Sequence, residues 1–298
     1  MTEVFELIAG DANDSVRVMV SSLGGRVTRI LVSRADVETD VLAQVPDAHP
    51  RSTSWGSYPM APWAGRIRHG RFEFLGEQIH LDLNHQDGAG AGGGPLHPHH
   101  RAPTGEIGPE DRHRHAIHGT TLTRTWTIDS SSERHVEMSC ELTGTMGWPF
   151  SGVARQRIDV RTTGVDFAMS VESSNGSFFP AAIGWHPCFA PTDQLDFAPI
   201  AMYEQDDIGL PTGLLVTPPS GPWDDCFINH SPIRLHYDRP VAPTVTVTSP
   251  TDHWVIYNRS TEITCVEPQT GPPDAVNVRP EVVASDRPLR HTMSIDWE

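Results

Sequence analysis

The sequence predicts an all-β protein built as one large antiparallel β-sandwich. Short apolar runs with a period of two recur along the chain, glycine and proline interrupt them, and no uninterrupted helical pattern exceeds about three turns. The 25 glycines and 26 prolines supply the many turns that such a fold needs. A chain of 298 residues could form two average domains, but β-sandwiches of this length are commonly one, so we expect a single domain over 1–298.

Two segments carry the clearest strand signal. Over 136–142, Val, Met, Cys and Leu alternate with Glu and Ser, and 165–171 repeats the alternation with Val, Phe and Met. Each pattern is typical of a half-buried antiparallel strand. Looser alternation predicts further strands at 16–20, 27–32, 72–74, 79–83, 122–128, 233–237, 245–247, 254–257 and 293–297.

One segment, 87–115, has low complexity. A run of Gly and Ala at its start is followed by a group of histidines, His97, His99, His100, His113 and His115. This composition buries little apolar surface, so we expect a flexible Gly- and His-rich loop or lid. Clustered histidines can bind a metal, but a flexible loop does not fix coordination geometry, and we predict no metal site there.

Composition limits the classes of partner. The net charge of -16 and pI of about 5.3 argue against nucleic acid and anionic membrane surfaces, which require a basic patch. All 22 basic residues are arginine, which excludes lysine Schiff bases, pyridoxal phosphate anchoring and a phosphate loop ending in Gly-Lys. The first residues form no apolar signal segment and no run of 18 apolar residues occurs, so we expect a cytoplasmic protein.

The cysteines give no metal or redox motif. They are widely spaced and none forms a Cys-x-x-Cys pair. We therefore interpret them as reduced thiols of the core or of the neighbourhood of a site. The four are Cys140, Cys188, Cys226 and Cys265.

Two residues that precede proline are candidates for proton transfer. Glu267 follows an apolar β-prone run and comes before Pro268 and a Gly-Pro-Pro turn, so we expect it at a strand end on a stiff loop, where a general base could be held. His186 has Trp185 and Phe189 on either side to lower its exposure. A histidine in such surroundings can titrate near neutrality and donate or accept a proton.

Trp185 and four further residues could contact a polyhydroxylated ligand. Arg66 offers several donors in fixed geometry, Trp63 offers a ring face to the C–H surface of a sugar, and His118 precedes glycine at a turn. Asp225 lies among aromatic residues and could accept hydrogen bonds. Each has an ordinary structural explanation by itself, but together with His186 and Glu267 they suit a neutral polyhydroxylated ligand. The Gly-x-Ser-x-Gly and His-Glu-x-x-His motifs are absent from the sequence.

The order of these motifs resembles the aldose 1-epimerase (galactose mutarotase) family. The matching stretches are Pro-Trp-Ala-Gly-Arg-Ile at 62–67, His-Gly at 118–119, Gly-Trp-Pro-Phe at 147–150, Gly-Trp-His-Pro at 184–187, Asp-Cys-Phe at 225–227 and Glu-Pro-Gln-Thr-Gly at 267–271. The 87–115 segment looks like an insertion, and the Pro-Met-Ala-Pro-Trp form of the first motif is that of a divergent branch.

The resemblance implies a galactose mutarotase-like supersandwich that interconverts the α and β anomers of free sugars without a cofactor or metal. It implies that Glu267 is the general base and His186 the general acid. It also implies that Arg66, His118 and Asp225 bind the sugar. The implied partner is a small monosaccharide, and the protein could be a monomer or a homodimer.

The residues leave other functions open. A hexose-phosphate anomerase of the same family would need an arginine cluster, which Arg66, Arg68 and Arg71 could supply. A glycoside hydrolase would need Glu267 and Asp225 to flank a scissile bond. A non-catalytic carbohydrate-binding sandwich would not need a His and Glu proton-transfer pair. A cupin-like metal enzyme would place its histidines at alternate positions along strands.

Overall fold

The protein is described by a computed structural model that covers residues 2–44, 53–86, 94–101, 107, 112–192 and 194–298. Within these residues almost all regular structure is β, and the neighbouring strands of both large sheets are antiparallel. The prediction of an all-β, antiparallel fold is confirmed. None of the helices in the described ranges is long and apolar enough to cross a membrane.

The larger sheet has 11 strands in the described part of the chain and contains the residues of the candidate site. In spatial order its strands are β1 (Val4–Gly10), β2 (Asp14–Ser21), β3 (Arg26–Arg34), β5 (Ser57–Met60), β17 (Gly184–Phe189), β25 (Thr264–Gln269), β24 (His253–Tyr257), β21 (Asp224–Ile228), β19 (Ala201–Gln205) and β20 (Pro211–Val216), with β4 (Val37–Asp40) paired to β3.

The second sheet has eight strands over the same described ranges. They are β12 (Thr127–Ser131), β13 (His135–Glu141), β14 (Gly152–Arg161), β15 (Gly164–Ser173), β27 (Leu289–Trp297), β23 (Thr244–Thr248), β22 (Ile233–His236) and β18 (Gln194–Asp196).

Shorter elements complete the described structure. A four-stranded sheet is formed by β10 (Gly94–Arg101), β9 (Asp82–Gln86), β11 (Arg114–Ile117) and β6 (Arg66–Ile67). Two pairs are formed by β16 (Phe179–Ala181) with β26 (Glu281–Val283), and by β7 (Arg71–Phe74) with β8 (Glu77–His80). The helical elements are a 3-10 turn (Arg68–Gly70) and α1 (Ala275–Val278).

One continuous apolar core contains residues from both large sheets. In β13 and β14 buried side chains alternate with more exposed ones, as the period-two pattern predicts. Hydrogen bonds also cross between the sheets: Gln156 Nε2 donates to the Gly25 carbonyl at 2.8 Å, and Trp185 Nε1 donates to Gln156 Oε1 at 2.8 Å. The two large sheets therefore pack face to face as a sandwich.

The predicted strand at 122–128 is wrong over most of its length. Strand β12 begins only at Thr127, and the preceding residues form turns. Trp126 is nevertheless buried, because its indole packs so closely on Gly25 that a Cβ there would lie 2.9 Å from the ring. The apolar residues of this segment reflect tertiary packing rather than a strand period.

The predicted loop at 87–115 contains strands. Strand β10 (Gly94–Arg101) pairs with β9, and β11 (Arg114–Ile117) pairs with both β9 and β6. His115 is buried in β11 and its Nδ1 accepts a hydrogen bond from the His69 backbone N–H at 3.2 Å. Neighbouring strands supply hydrogen-bond partners for the backbone of this segment. Its composition alone does not reveal that pairing. Residues 87–93, 102–106 and 108–111 lie outside the described residues.

Candidate active site

The register of the central strands places His186 beside Glu267. In β17 and β25, Gly184 is paired with Gln269 and Cys188 with Cys265, so the positions midway between these pairs face one another. His186 Nε2 lies 3.2 Å from Glu267 Oε1. The structure therefore brings together the two residues expected to transfer protons, from stretches far apart in the chain.

Glu267 lies inside a strand, not at a strand end as the sequence predicts. Strand β25 continues through Pro268, which is paired with Trp254 of β24, while Glu267 is paired with Val255. Neither Pro187 nor Pro268 can donate a backbone hydrogen bond, and the ladder between β17 and β25 is interrupted where they lie. The pairing with β24 keeps the strand regular, so sheet structure holds the carboxylate more firmly than a loop would.

The alternation of β17 places Trp185 and His186 on opposite faces of the sheet. Trp185 is buried, stacks on His291 at a ring-centroid distance of 5.2 Å and belongs to the core between the sheets. Trp63 is also buried, with its ring centroid 5.5 Å from that of Trp148. The expectation that these tryptophans present a face to a sugar therefore does not fit their places in the core.

Burial and mutual charge control the protonation of the pair. Glu267 is 3% exposed, and burial raises its pKa to about 7 despite the opposing effect of His186. Burial lowers the pKa of His186, but the charges of Glu267 and Cys188 outweigh it and raise the pKa to about 9. Glu267 Oε2 also accepts a hydrogen bond from Gln269 Nε2 at 3.1 Å. The geometry favours an imidazolium beside a carboxylate, which is an acid next to a base.

Aromatic rings frame His186. Tyr58, opposite it in β5, stacks on the imidazole at 4.8 Å with an interplanar angle of 16°. His118 meets the same ring edge-on at 5.0 Å. Burial, followed by the charge of His186, lowers the pKa of His118 well below its ordinary value. His118 is therefore neutral, and its buried Nδ1 has no hydrogen-bond partner among the described residues, so it could serve a hydroxyl group.

The turn that carries His118 is held by hydrogen bonds to its backbone. Asn84 accepts a hydrogen bond from the Ile117 N–H at 2.7 Å and donates one to its carbonyl at 3.0 Å. The His118 N–H then donates to the Gly65 carbonyl at 2.9 Å. His118 and Gly119 both have positive φ, of 59° and 78°. The β9 to β11 region thus holds His118 at a positive φ, which residues other than glycine seldom adopt.

We expect Gly119→Ala to destabilise the protein by at least about 2 kcal/mol, because strain at positive φ adds to a steric overlap. A Cβ at Gly119 would lie 2.0 Å from the Ala61 carbonyl oxygen. Gly76→Ala is the matched control, since Gly76 has φ of 81° and nothing within 4 Å of its Cβ position. Urea unfolding should show the larger loss at Gly119; equal losses in the two variants would contradict this packing.

Arg66 is paired with Asp224, the neighbour of the predicted Asp225. Arg66 Nη2 lies 3.9 Å from Asp224 Oδ2, and the charge of Asp224 contributes to the raised pKa of Glu267. The register from β21 through β24 to β25 aligns Asp224 with Tyr257 and then Cys265, which is two residues from Glu267. Asp224 therefore lies on the same face of the sheet as the His and Glu pair.

The same register moves Asp225 away from that face. Asp225 is aligned with Ile256 and Val266, both of which belong to the core. Its Oδ2 accepts a hydrogen bond from the Asp224 N–H at 3.0 Å and lies 3.7 Å from Arg259 Nη2, and burial raises its pKa. The structure does not bring Asp225 to the pair. The sequence could have indicated Asp224 instead. Side chains alternate along a strand, so an inward-facing Phe227 places Asp225 on the core side and Asp224 on the opposite face.

The comparisons with known proteins agree with this fold. The sequence profile of the family described as aldose 1-epimerase matches residues 7–295. A GalM/aldose epimerase homologue from Caenorhabditis elegans has 12% sequence identity and a TM-score of 0.75, covering 99% of each chain. A galactose 1-epimerase from Lactobacillus acidophilus NCFM has 14% identity and a TM-score of 0.70, covering 100% of this chain and 98% of its own.

A galactose mutarotase-like protein from Clostridium acetobutylicum gives a similar result, with 14% identity, a TM-score of 0.70 and coverage of 99% of this chain and 98% of its own. A sequence search of curated proteins found no match. At these identities the structural likeness shows the fold, while the family profile spans nearly the whole chain. The chain belongs to the aldose 1-epimerase family and has the galactose mutarotase-like fold.

Proposed function

We propose that the protein interconverts the α and β anomers of a free aldose by acid/base ring opening and reclosure. The observation that carries this proposal is the contact of 3.2 Å between His186 Nε2 and Glu267 Oε1, both side chains being nearly buried. Membership of the aldose 1-epimerase family supports the reaction class. A module that only binds carbohydrate would gain nothing from a buried acid and base held in contact.

Ring opening requires two proton transfers at C1: the C1 hydroxyl loses a proton and the ring oxygen gains one. Glu267 takes the proton of the C1 hydroxyl while protonated His186 donates to the ring oxygen. The bond between C1 and the ring oxygen breaks and the open-chain aldehyde forms. Because both oxygens are bonded to C1, the acid and the base must be neighbours, as they are here.

Reclosure returns each proton to its origin. After opening, Glu267 is protonated and His186 is neutral. Rotation about the C1–C2 bond presents the other face of the aldehyde. The C5 hydroxyl then attacks, His186 takes its proton and Glu267 returns one to the carbonyl oxygen. The raised pKa values of about 7 for Glu267 and about 9 for His186 support this cycle, because both lie close enough to neutral pH for each group to gain and lose a proton.

Arg66, His118 and Asp224 are proposed to hold the hydroxyl groups of the sugar. We expect Arg66→Ala to raise KM by about tenfold or more with a smaller change in kcat, because charged hydrogen bonds contribute about 1.5–3 kcal/mol. Arg155→Ala is the matched control, since Arg155 lies largely exposed on the second sheet and pairs with Glu172. Initial rates over a range of sugar concentrations give both constants. A loss confined to kcat would contradict a binding role for Arg66.

A phosphorylated substrate is less well supported. Arg68 Nη1 lies 2.6 Å from Asp206 Oδ2, and its Nε lies 3.4 Å from Asp274 Oδ2. Arg66 is likewise beside Asp224. These carboxylates offset the positive charge that a phosphate group would need, and they would repel a dianion.

Polarimetry tests the proposal directly. The protein should accelerate the change in optical rotation of freshly dissolved α-D-glucose or α-D-galactose above the spontaneous rate. Acceleration only with hexose 6-phosphates would replace the free aldose by a sugar phosphate. Binding of these sugars without any acceleration, measured by calorimetry, would overturn the enzymatic proposal in favour of a binding module.

A further inference from the structure

Three potential metal ligands meet on the face of the sheet that carries the His and Glu pair. Cys188 of β17 and Cys265 of β25 are directly paired across the two strands. His186 precedes Cys188 by two positions and therefore points to the same side of the sheet. All three residues are buried, and their ligand atoms lie within 4.8 Å of one another.

The spacing of these atoms is close to that of a tetrahedral zinc site. The two sulfur atoms are 3.6 Å apart, and Cys188 Sγ lies 3.5 Å from His186 Nδ1. Zn–S bonds of about 2.3 Å and Zn–N bonds of about 2.0–2.1 Å place two sulfurs about 3.8 Å apart and a sulfur and a nitrogen about 3.5 Å apart. Two edges of the tetrahedron thus already have the required length, and a small movement of Cys265 would bring its sulfur towards Nδ1.

The surroundings of His186 provide a second observation. Its Nδ1 faces the thiols while its Nε2 lies 3.2 Å from Glu267 Oε1. A histidine that ligates a metal almost always donates its other ring N–H to a carboxylate or carbonyl, which fixes the tautomer and ring orientation. Gln269 holds that carboxylate in turn. His186 is therefore oriented as a ligand through Nδ1.

We propose that His186, Cys188 and Cys265 form a binding site for a divalent ion of the zinc class, with the fourth coordination position open. Two thiolates and one imidazole are donors that Zn²⁺ prefers over the oxygen-seeking ions Mg²⁺ and Ca²⁺. Two thiolates also neutralise the charge of a divalent ion, which suits a buried position. The ion would replace the protons held by the two sulfur atoms and by Nδ1 of His186, and these protons leave to solvent when it binds.

Zinc at this site would inhibit the proposed reaction, and this consequence rests on the proposed function. An imidazole bound to zinc through Nδ1 retains a single proton, on Nε2. It cannot form the imidazolium that donates to the ring oxygen, because giving up that last proton would leave an imidazolate. Metal binding therefore removes the acid from the acid/base pair.

Cobalt(II) provides a test of the site that does not depend on activity. Titration of the full chain, kept reduced with a phosphine, should produce one equivalent of thiolate-to-cobalt absorption together with the visible bands of tetrahedral cobalt, and Zn²⁺ should abolish both. Cys188→Ser and Cys265→Ser should each weaken cobalt binding at least tenfold. Cys140→Ser is the matched control, because Cys140 is a buried cysteine on the second sheet.

His186→Asn provides a variant that leaves both thiols in place, and it should also weaken cobalt binding at least tenfold. Absence of thiolate absorption in the wild-type protein, or its persistence in all three site variants, would overturn the proposal. The inhibition is measured separately: Zn²⁺ should lower the mutarotation rate of the wild-type protein and of Cys140→Ser in parallel with occupancy. A cobalt signal without mutarotation would uphold the metal site and reject the proposed function.

Discussion

We expect Glu267→Gln to lower kcat for mutarotation by about 100- to 10,000-fold, the usual contribution of a positioned general base. The amide has nearly the shape of the carboxylate and can still accept the hydrogen bond from Gln269, but it cannot take the proton of the C1 hydroxyl. It also removes the negative charge that raises the pKa of His186. The acid is therefore weakened together with the base, and the loss belongs to the pair rather than to one residue.

Polarimetry at saturating sugar measures this loss against the spontaneous rate. Glu172→Gln is the matched control, because Glu172 lies on the second sheet and pairs with Arg155. That variant should turn over like the wild type. Denaturant unfolding should show that Glu267→Gln remains folded, since an uncharged amide is less costly to bury than a carboxylate. Turnover near that of the wild type in Glu267→Gln would reject Glu267 as the base.

The second large effect is expected from His186→Asn, which should lower kcat over the same range of about 100- to 10,000-fold. Asparagine can donate a hydrogen bond but cannot transfer a proton to the ring oxygen. Removing the imidazolium also leaves Glu267 in a buried position without its positive partner. This raises the pKa of Glu267 further, so that less of the carboxylate form remains to act as a base.

Because each residue maintains the protonation state of the other, the two losses should not add. The double variant Glu267→Gln/His186→Asn should be about as slow as the slower single variant. His230→Asn is the control, since His230 is exposed and pairs with Asp252 at 3.3 Å. Losses that multiply in the double variant would show that the residues act independently, contrary to the contact seen between them.

The sequence predicts the fold well because the period of its apolar residues is a local property. The alternation over 136–142 and 165–171 corresponds to strands β13 and β15, whose buried faces contribute to the core. The same local signal failed at 122–128, where Trp126 packs on Gly25 in the turn before β3 and Leu122 packs against residues of β5. Nothing in the period distinguishes these two causes of burial.

The position of Glu267 shows how a local rule can be overridden. Proline ordinarily ends a strand because it cannot donate to the ladder. Here β24 supplies regular pairing on the other side, so β25 continues through Pro268. The tryptophans show a related limit. Trp185 and Trp63 were expected to contact sugar because an indole ring offers a face to C–H groups, but strand alternation and packing place them in the core.

The sequence by itself determined the fold class, the family and the residue types of the proposed acid/base site, because strand period and motif order are carried along the chain. Only the tertiary structure decided which residues meet. The strand register set His186 against Glu267, placed Asp224 rather than Asp225 on their face, and paired Cys188 with Cys265. Contacts between residues about 80 positions apart depend on register, and no spacing within the chain specifies it.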